Sequence, residues 1–178
     1  MLPAPDHRLP GLNGRMARLF VAVWPSEDAV AALTELRRKD QRGVRFVSPE
    51  NWHVTLRFLG EADTDEVIDA LDGAPLPAAV ARLGPAVDVL SDRALVVPVA
   101  GLDDLAEVVR DRTAHLGQTS RRRFAGHLTV ARVKPKVPMP ATLGTMVHAE
   151  FEVREVALVR SRLDPDGARY TTLHTWPV

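Results

Sequence analysis

The chain contains no cysteine, so it can build no disulfide framework, no thiolate metal site and no thiol nucleophile. It also lacks an excess of charge of either sign, since 23 Lys plus Arg balance 23 Asp plus Glu. A neutral chain has no global field with which to coat long nucleic acid, so any acidic ligand must be held by a local cluster of cations. No apolar run approaches the about 20 residues that cross a bilayer. These absences point to a reducing compartment, taken as the cytoplasm, and to no membrane partner.

What is present is ordinary for a globular chain. The 178 residues are 46% hydrophobic and 26% charged, enough for a real core in one large domain or two small lobes. The opening stretch "MLPAPDHRLPGLNGR" is rich in Pro and Gly and has no apolar signal core. Residues 1–15 are therefore expected to form a flexible N-terminal extension. Folded sequence is expected over 16–178 as a single bilobal domain.

Alternation of Val and Phe predicts a strand at 18–24, followed by a helix from Pro25 that Ser26 caps. Short strands are expected at 44–47 and 52–59 around the turn signal "SPEN", then a helix near 63–73. Residues 74–85, rich in Ala and Pro, give no clear pattern. Strands at 86–91 and 94–99 read as a hairpin, and 101–117 as an amphipathic helix closed by Gly117. Further strands are expected at 127–133, 149–153, 155–163 and 168–176, with "DPDG" as a tight turn. About eight strands and two main helices, interleaved, indicate an α+β fold with largely antiparallel sheets and flanking helices. Each half pairs a helix with strands, which implies two related lobes around a central cleft.

Each half also carries one histidine followed two places later by threonine: His53 and Thr55 in "WHVTLRFLG", and His127 and Thr129 in "GHLTVARV". A lone histidine on a strand is more often structural than catalytic. Yet six histidines and eleven threonines would give about 0.4 such spacings by chance, and both occurrences here fall in strand-like alternation. Side chains two apart on a strand share a face, so each motif offers an imidazole and a hydroxyl together while Val54, Leu56, Phe58, Leu128 and Val130 point the other way. Arg57 falls on the His53 face. Two histidines and two hydroxyls suit phosphodiester cleavage. Histidine, with an ordinary pKa near ~6.5, serves as base or acid at neutral pH. Stiff threonine hydroxyls can donate to phosphoryl oxygens as charge builds.

These two motifs resemble those of the two-histidine phosphoesterase superfamily, specifically the RNA 2′,3′-cyclic phosphodiesterases also called 2′-5′ RNA ligases. "RLFVAVW", "NWHVTLRFLGE", "RRFAGHLTVAR" and "RYTTLHTW" carry the resemblance, which covers most of residues 16–178. It implies a bilobal, pseudo-symmetric α+β fold with both motifs in the cleft. It further implies hydrolysis of cyclic phosphates on RNA ends or nucleotides to 2′-phosphomonoesters, with ATP-independent 2′-5′ ligation as a second outcome. His127 would then be the base, His53 the acid, and Thr55 and Thr129 the phosphate donors. Arg132 matches an arginine five residues after the second histidine, although simple alternation puts it on the opposite face unless the strand bulges. Phe124 matches an aromatic suited to stacking on a base. Where the family often has prolines, this chain has Arg123 and Gly126.

Other candidates weigh less. Arg121, Arg122 and Arg123 read as a solvated charge run or as phosphate contacts, and Arg57 as a phosphate contact or an ion-pair partner. Phe20 and Tyr170 are read as core or cleft lining. His7 lies in the tail, and His115, His148 and His174 lack motif context. No metal is expected, because no third ligand stands beside either motif. No cofactor is expected either, since Walker A and adenylation sequences are absent. The protein is expected to act as a monomer. Two alternatives stand beside the main reading: a phosphodiesterase for a small nucleotide such as ADP-ribose cyclic phosphate, and a degenerate RNA-binding module. A chain beginning at Met16 should keep its melting temperature and turnover, since residues 1–15 offer no periodic apolar face for docking; a large drop in either would show otherwise.

Overall fold

The computed structural model describes residues 16–90, 93–119, 122–165 and 167–178. The expected extension over 1–15, with His7, lies outside the described residues, as do Arg121 of the arginine run and Asp166 of the expected turn. The strands are β1 (Met16–Val23), β2 (Val44–Phe46), β3 (Val54–Asp63), β4 (Val80–Leu83), β5 (Asp88–Val89), β6 (Ala94–Ala100), β7 (His127–Val133), β8 (Ala149–Glu152), β9 (Glu155–Asp164) and β10 (Gly167–Pro177). The helices are α1 (Glu27–Thr34), α2 (Thr64–Leu71) and α3 (Asp103–Arg112), with a 3₁₀ turn at Pro49–Asn51. The unassigned stretch 74–85 contributes β4, whose burial comes from pairing with β6 and β8 rather than from local alternation.

The sheet runs in the order β10-β9-β1-β3-β7-β6-β4-β8, with β2 on β7 and β5 on β6, and every pairing is antiparallel. Its two halves meet at β3 and β7 through one register pair, Val54 with Leu128. Each of these residues directly follows a motif histidine, and both are fully buried. The pseudo-symmetry expected from the repeated motif is therefore centred on the motifs themselves.

Apolar faces explain why the helices sit where they do. Ala29 and Leu33 of α1, Val67, Ile68 and Leu71 of α2, and Leu105, Ala106 and Val109 of α3 join Leu19, Val21, Leu56 and Val130 of the sheet in one core. The helices cross the seam: α3 follows β6 but packs on β3, and α1 follows β1 but packs on β8. The halves are thus interlocked, not two self-contained lobes side by side.

Helix ends are set by side chains that compete for backbone groups. Ser26 accepts from the Ala29 amide and Asp63 from those of Asp65 and Glu66, each satisfying donors that a helix start leaves open. Helix α1 is shorter than its sequence suggests, because Thr142 donates to the Arg37 carbonyl and Gln41 to that of Pro138, drawing 37–41 onto the 138–142 loop. Helix α3 likewise ends at Arg112, where the Thr113 hydroxyl donates to the Val109 carbonyl at 2.7 Å. At Gly117 the chain takes φ +59, and the next amide, Gln118, donates to Leu59 of β3 at 2.7 Å. A Cβ on Gly117 would run into the Leu59 carbonyl. Gly117→Ala should therefore cost about 1–3 kcal/mol in denaturant unfolding, a larger loss than Gly73→Ala, where a Cβ meets nothing within 4 Å.

Candidate active site

Both motif histidines line one cleft of about 370 Å³, together with Thr55, Thr129, Arg132 and Arg18. The arrangement follows from the seam. With Val54 and Leu128 buried back to back, His53, Thr55, His127 and Thr129 are left half-buried on the opposite face. Among the described residues, no carboxylate lines this cleft, and no group of three or more His, Asp or Glu is placed to hold a metal ion.

The imidazoles are held alike. His53 Nδ1 lies 2.7 Å from the Asn51 carbonyl and His127 Nδ1 lies 2.7 Å from that of Ala125. A carbonyl can only accept, so in both rings Nδ1 carries the hydrogen and Nε2 is the nitrogen left for proton transfer. The surroundings differ. Phe20, Tyr170 and Trp24 stand 4.9, 5.0 and 5.6 Å from the His53 ring, while no such ring contact exists at His127 among the described residues. Phe20 belongs to a small apolar cluster with Ala22, Ala157 and Val159 on which Trp24 and Tyr170 pack. Burial lowers the His53 pKa from its ordinary value; the Asn51 bond opposes this, and the charge of His127 adds to it.

Arg132 lines the cleft because β7 shifts register. Leu95 faces Ala131 and Val96 faces Thr129, leaving Val130 unmatched. Val130 and Ala131 are both buried, and Arg132 returns to the His127 face. Such bulges re-aim side chains beside active sites. Similar shifts on β3 leave Leu56 and Leu59 unmatched. They correct the expectation for Phe58: it is not on the buried face but 38% exposed in the cleft, with the Arg18 guanidinium 4.9 Å from its ring.

Arg57, Arg123 and Phe124 do not line this cleft. They line an adjoining hollow of about 630 Å³ that shares Thr55, Phe58 and His127 with it. Arg57 donates there to the Leu116 carbonyl at 3.0 Å. Tyr170 and Phe20 are cleft lining, as expected; His115 and His148 are exposed, and His174 lies against Trp176 and Asp72. Arg18 was missed, though it shares an alternation face with Phe20. The carbonyls of Asn51 and Ala125 leave no side-chain signal at all.

A family model described as LigT-like phosphoesterase matches residues 23–84, which hold the first motif. An RNA 2′,3′-cyclic phosphodiesterase of Archaeoglobus fulgidus is 32% identical over 175 residues, covering 89% of this chain and 99% of the relative. The chain belongs to this phosphoesterase family. A Thermus thermophilus relative of the same description is 34% identical over 175 residues, covering 88% of this chain and 87% of its own length. A crystal structure of a Thermus thermophilus protein superposes with a TM-score of 0.76 at 31% identity, over 90% of this chain and 97% of that one. Within the family's fold, the aromatic shell at His53 makes a definite expectation. In the free protein His53 should titrate below the ordinary histidine value by NMR, and a bound 2′-phosphate ester should move it up. Between that lowered value and about pH 6.5 the unfolded chain binds the proton that the folded one refuses, so stability should rise with pH across this window. His53→Asn should flatten that part of the melting profile.

Proposed function

We propose that this chain hydrolyses 2′,3′-cyclic phosphates on RNA ends or nucleotides to 2′-phosphomonoesters, without transferring any group from ATP. The observation that carries the reading is the convergence of two imidazoles on one cleft, each with Nδ1 fixed by a backbone carbonyl and Nε2 left to move a proton. His127 takes the proton of the attacking water. The P–O3′ bond breaks, and His53 gives its proton to the departing ribose oxygen. Thr55 and Thr129 hold the non-bridging oxygens, and Arg132 and Arg18 offset the negative charge that builds on them in the transition state. The depressed pKa of His53 fits this role once an anion arrives, because the phosphate favours the imidazolium that burial disfavours in the free protein. The absence of cysteine is consistent with work in the cytoplasm; among the described residues no helix is long and apolar enough to cross a membrane. We take the monomer as the working unit, since all the groups named stand on one chain.

The assay is turnover of a cyclic-phosphate-ended oligonucleotide beside a mononucleotide 2′,3′-cyclic phosphate and ADP-ribose cyclic phosphate. His53→Ala and His127→Ala should each lose at least ~10²-fold in kcat/KM, the usual scale for a lost acid or base. On a nitrophenyl phosphodiester, whose leaving group departs without a proton, His53→Ala should recover much of its rate and His127→Ala should not. Rescue of His127→Ala instead would exchange the two roles. Full activity in both variants would remove the two-histidine mechanism.

A further inference from the structure

The geometry points to Asn51 as a positioning residue that couples one wall of the cleft to the ring of His53. The inference rests on the reaction proposed above, in which His53 is the acid, and adds the residue that aims it.

Asn51 makes two hydrogen bonds in different directions. Its backbone carbonyl accepts from His53 Nδ1 at 2.7 Å, and its side-chain Nδ2 donates to the Ala168 carbonyl of β10 at 3.4 Å. The residue itself is fixed by the 3₁₀ turn. Its amide donates to the Ser48 carbonyl at 2.9 Å, and the Trp52 amide donates to that of Pro49 at 3.1 Å. Trp52, only 1% exposed, pins the turn in the core. His53 is therefore aimed from a firm point, and β10, distant in the chain, is tied to the same point.

Strand β10 needs that hold. It ends the order of the sheet, so among the described residues β9 is its only strand neighbour. Yet Ala168 and Tyr170, two apart on one face, both line the cleft, and the Tyr170 ring stands 5.0 Å from that of His53. A second touch lies beside the first, where a Cβ on Gly167 would run into the Arg45 guanidinium of β2. Residues 45–51 thus clasp the start of β10 and keep Tyr170 against His53. The carbonyl that holds His127 belongs to Ala125, whose methyl side chain can tie down no wall.

The tie guards the surroundings of a proton donor. With Tyr170 in place water is kept from His53, and burial lowers its pKa. Besides Tyr170, the titratable or charged groups lining the cleft with it are Arg18 from β1 and His127 and Arg132 from β7. The carboxylates of Glu27, Asp28, Glu150, Glu152 and Glu155 line a space of about 730 Å³ beyond Trp24, which shares no lining residue with the cleft. Cutting back the Asn51 side chain leaves all these groups, and the backbone carbonyl, where they are. Only the tie is lost, so the wall loosens, water enters and the ring can swing. An acid out of line with the departing oxygen loses rate more than binding.

The test compares Asn51→Ala and Asn51→Leu, the second keeping volume without a donor, with the unaltered chain on a cyclic-phosphate-ended oligonucleotide. Each should lose about tenfold in kcat while KM stays within about twofold. On the nitrophenyl phosphodiester, which needs no proton from His53, most of that loss should vanish. Adding Asn51→Ala to His53→Ala should cost nothing further, because the two act through one ring. By NMR of the free protein, His53 should titrate closer to the ordinary histidine value in Asn51→Ala, as water reaches it. Unchanged kcat, equal losses on both substrates, a further loss in the double variant or an unmoved titration would each overturn the proposal. Loss of cooperative melting in both single variants would overturn it too, by making Asn51 a purely structural residue. Failure of the reaction itself reads differently: the unaltered chain would leave the cyclic phosphate intact, and the His53 titration would still decide the tie.

Discussion

The pairing of β3 with β7, registered on Val54 against Leu128 and flanked by β2 on β7, joins the two halves of the sheet, and the geometry of the cleft hangs on it. Strand side chains alternate, so burying these two residues presents the preceding histidine and the following threonine of each motif to the cleft. The histidines cannot drift apart without opening a pairing in the middle of the core. Helices α1 and α3, each packed on a strand of the opposite half, tie the halves together. One short pairing thus brings two local sequence motifs into one cleft.

Two residues of the same type line one cleft, and the structure separates them by environment. Both rings are oriented by backbone carbonyls rather than by carboxylates, which fixes the tautomer without placing a negative charge beside the phosphate. Desolvation by Phe20, Trp24 and Tyr170 then falls on His53 alone. Burial lowers the pKa of His53, and an anion in the cleft would oppose that shift. Charge on a larger scale repeats this asymmetry. Carboxylates gather in the hollow reached past Trp24, and guanidinium groups gather beyond His127, so a neutral chain still presents a strongly polar site.

By itself the sequence determined the helices and the strands other than β4, the antiparallel α+β class and the four motif residues, because these depend on alternation, capping and spacing that act within a few residues. It also located Phe124 and Arg123 near the second motif, and it stated the condition on which Arg132 would reach the phosphate. The tertiary structure decided whether that condition is met. The unmatched Val130 turns Arg132 into the cleft, and comparable shifts at Leu56 and Leu59 bring Phe58 out of the core. A bulge depends on which strand lies alongside, and that partner is distant in the chain. The same holds for β4, for the crossing of the helices and for the carbonyls that orient the imidazoles: each is set by contacts between remote segments, and no local pattern of residue types encodes them.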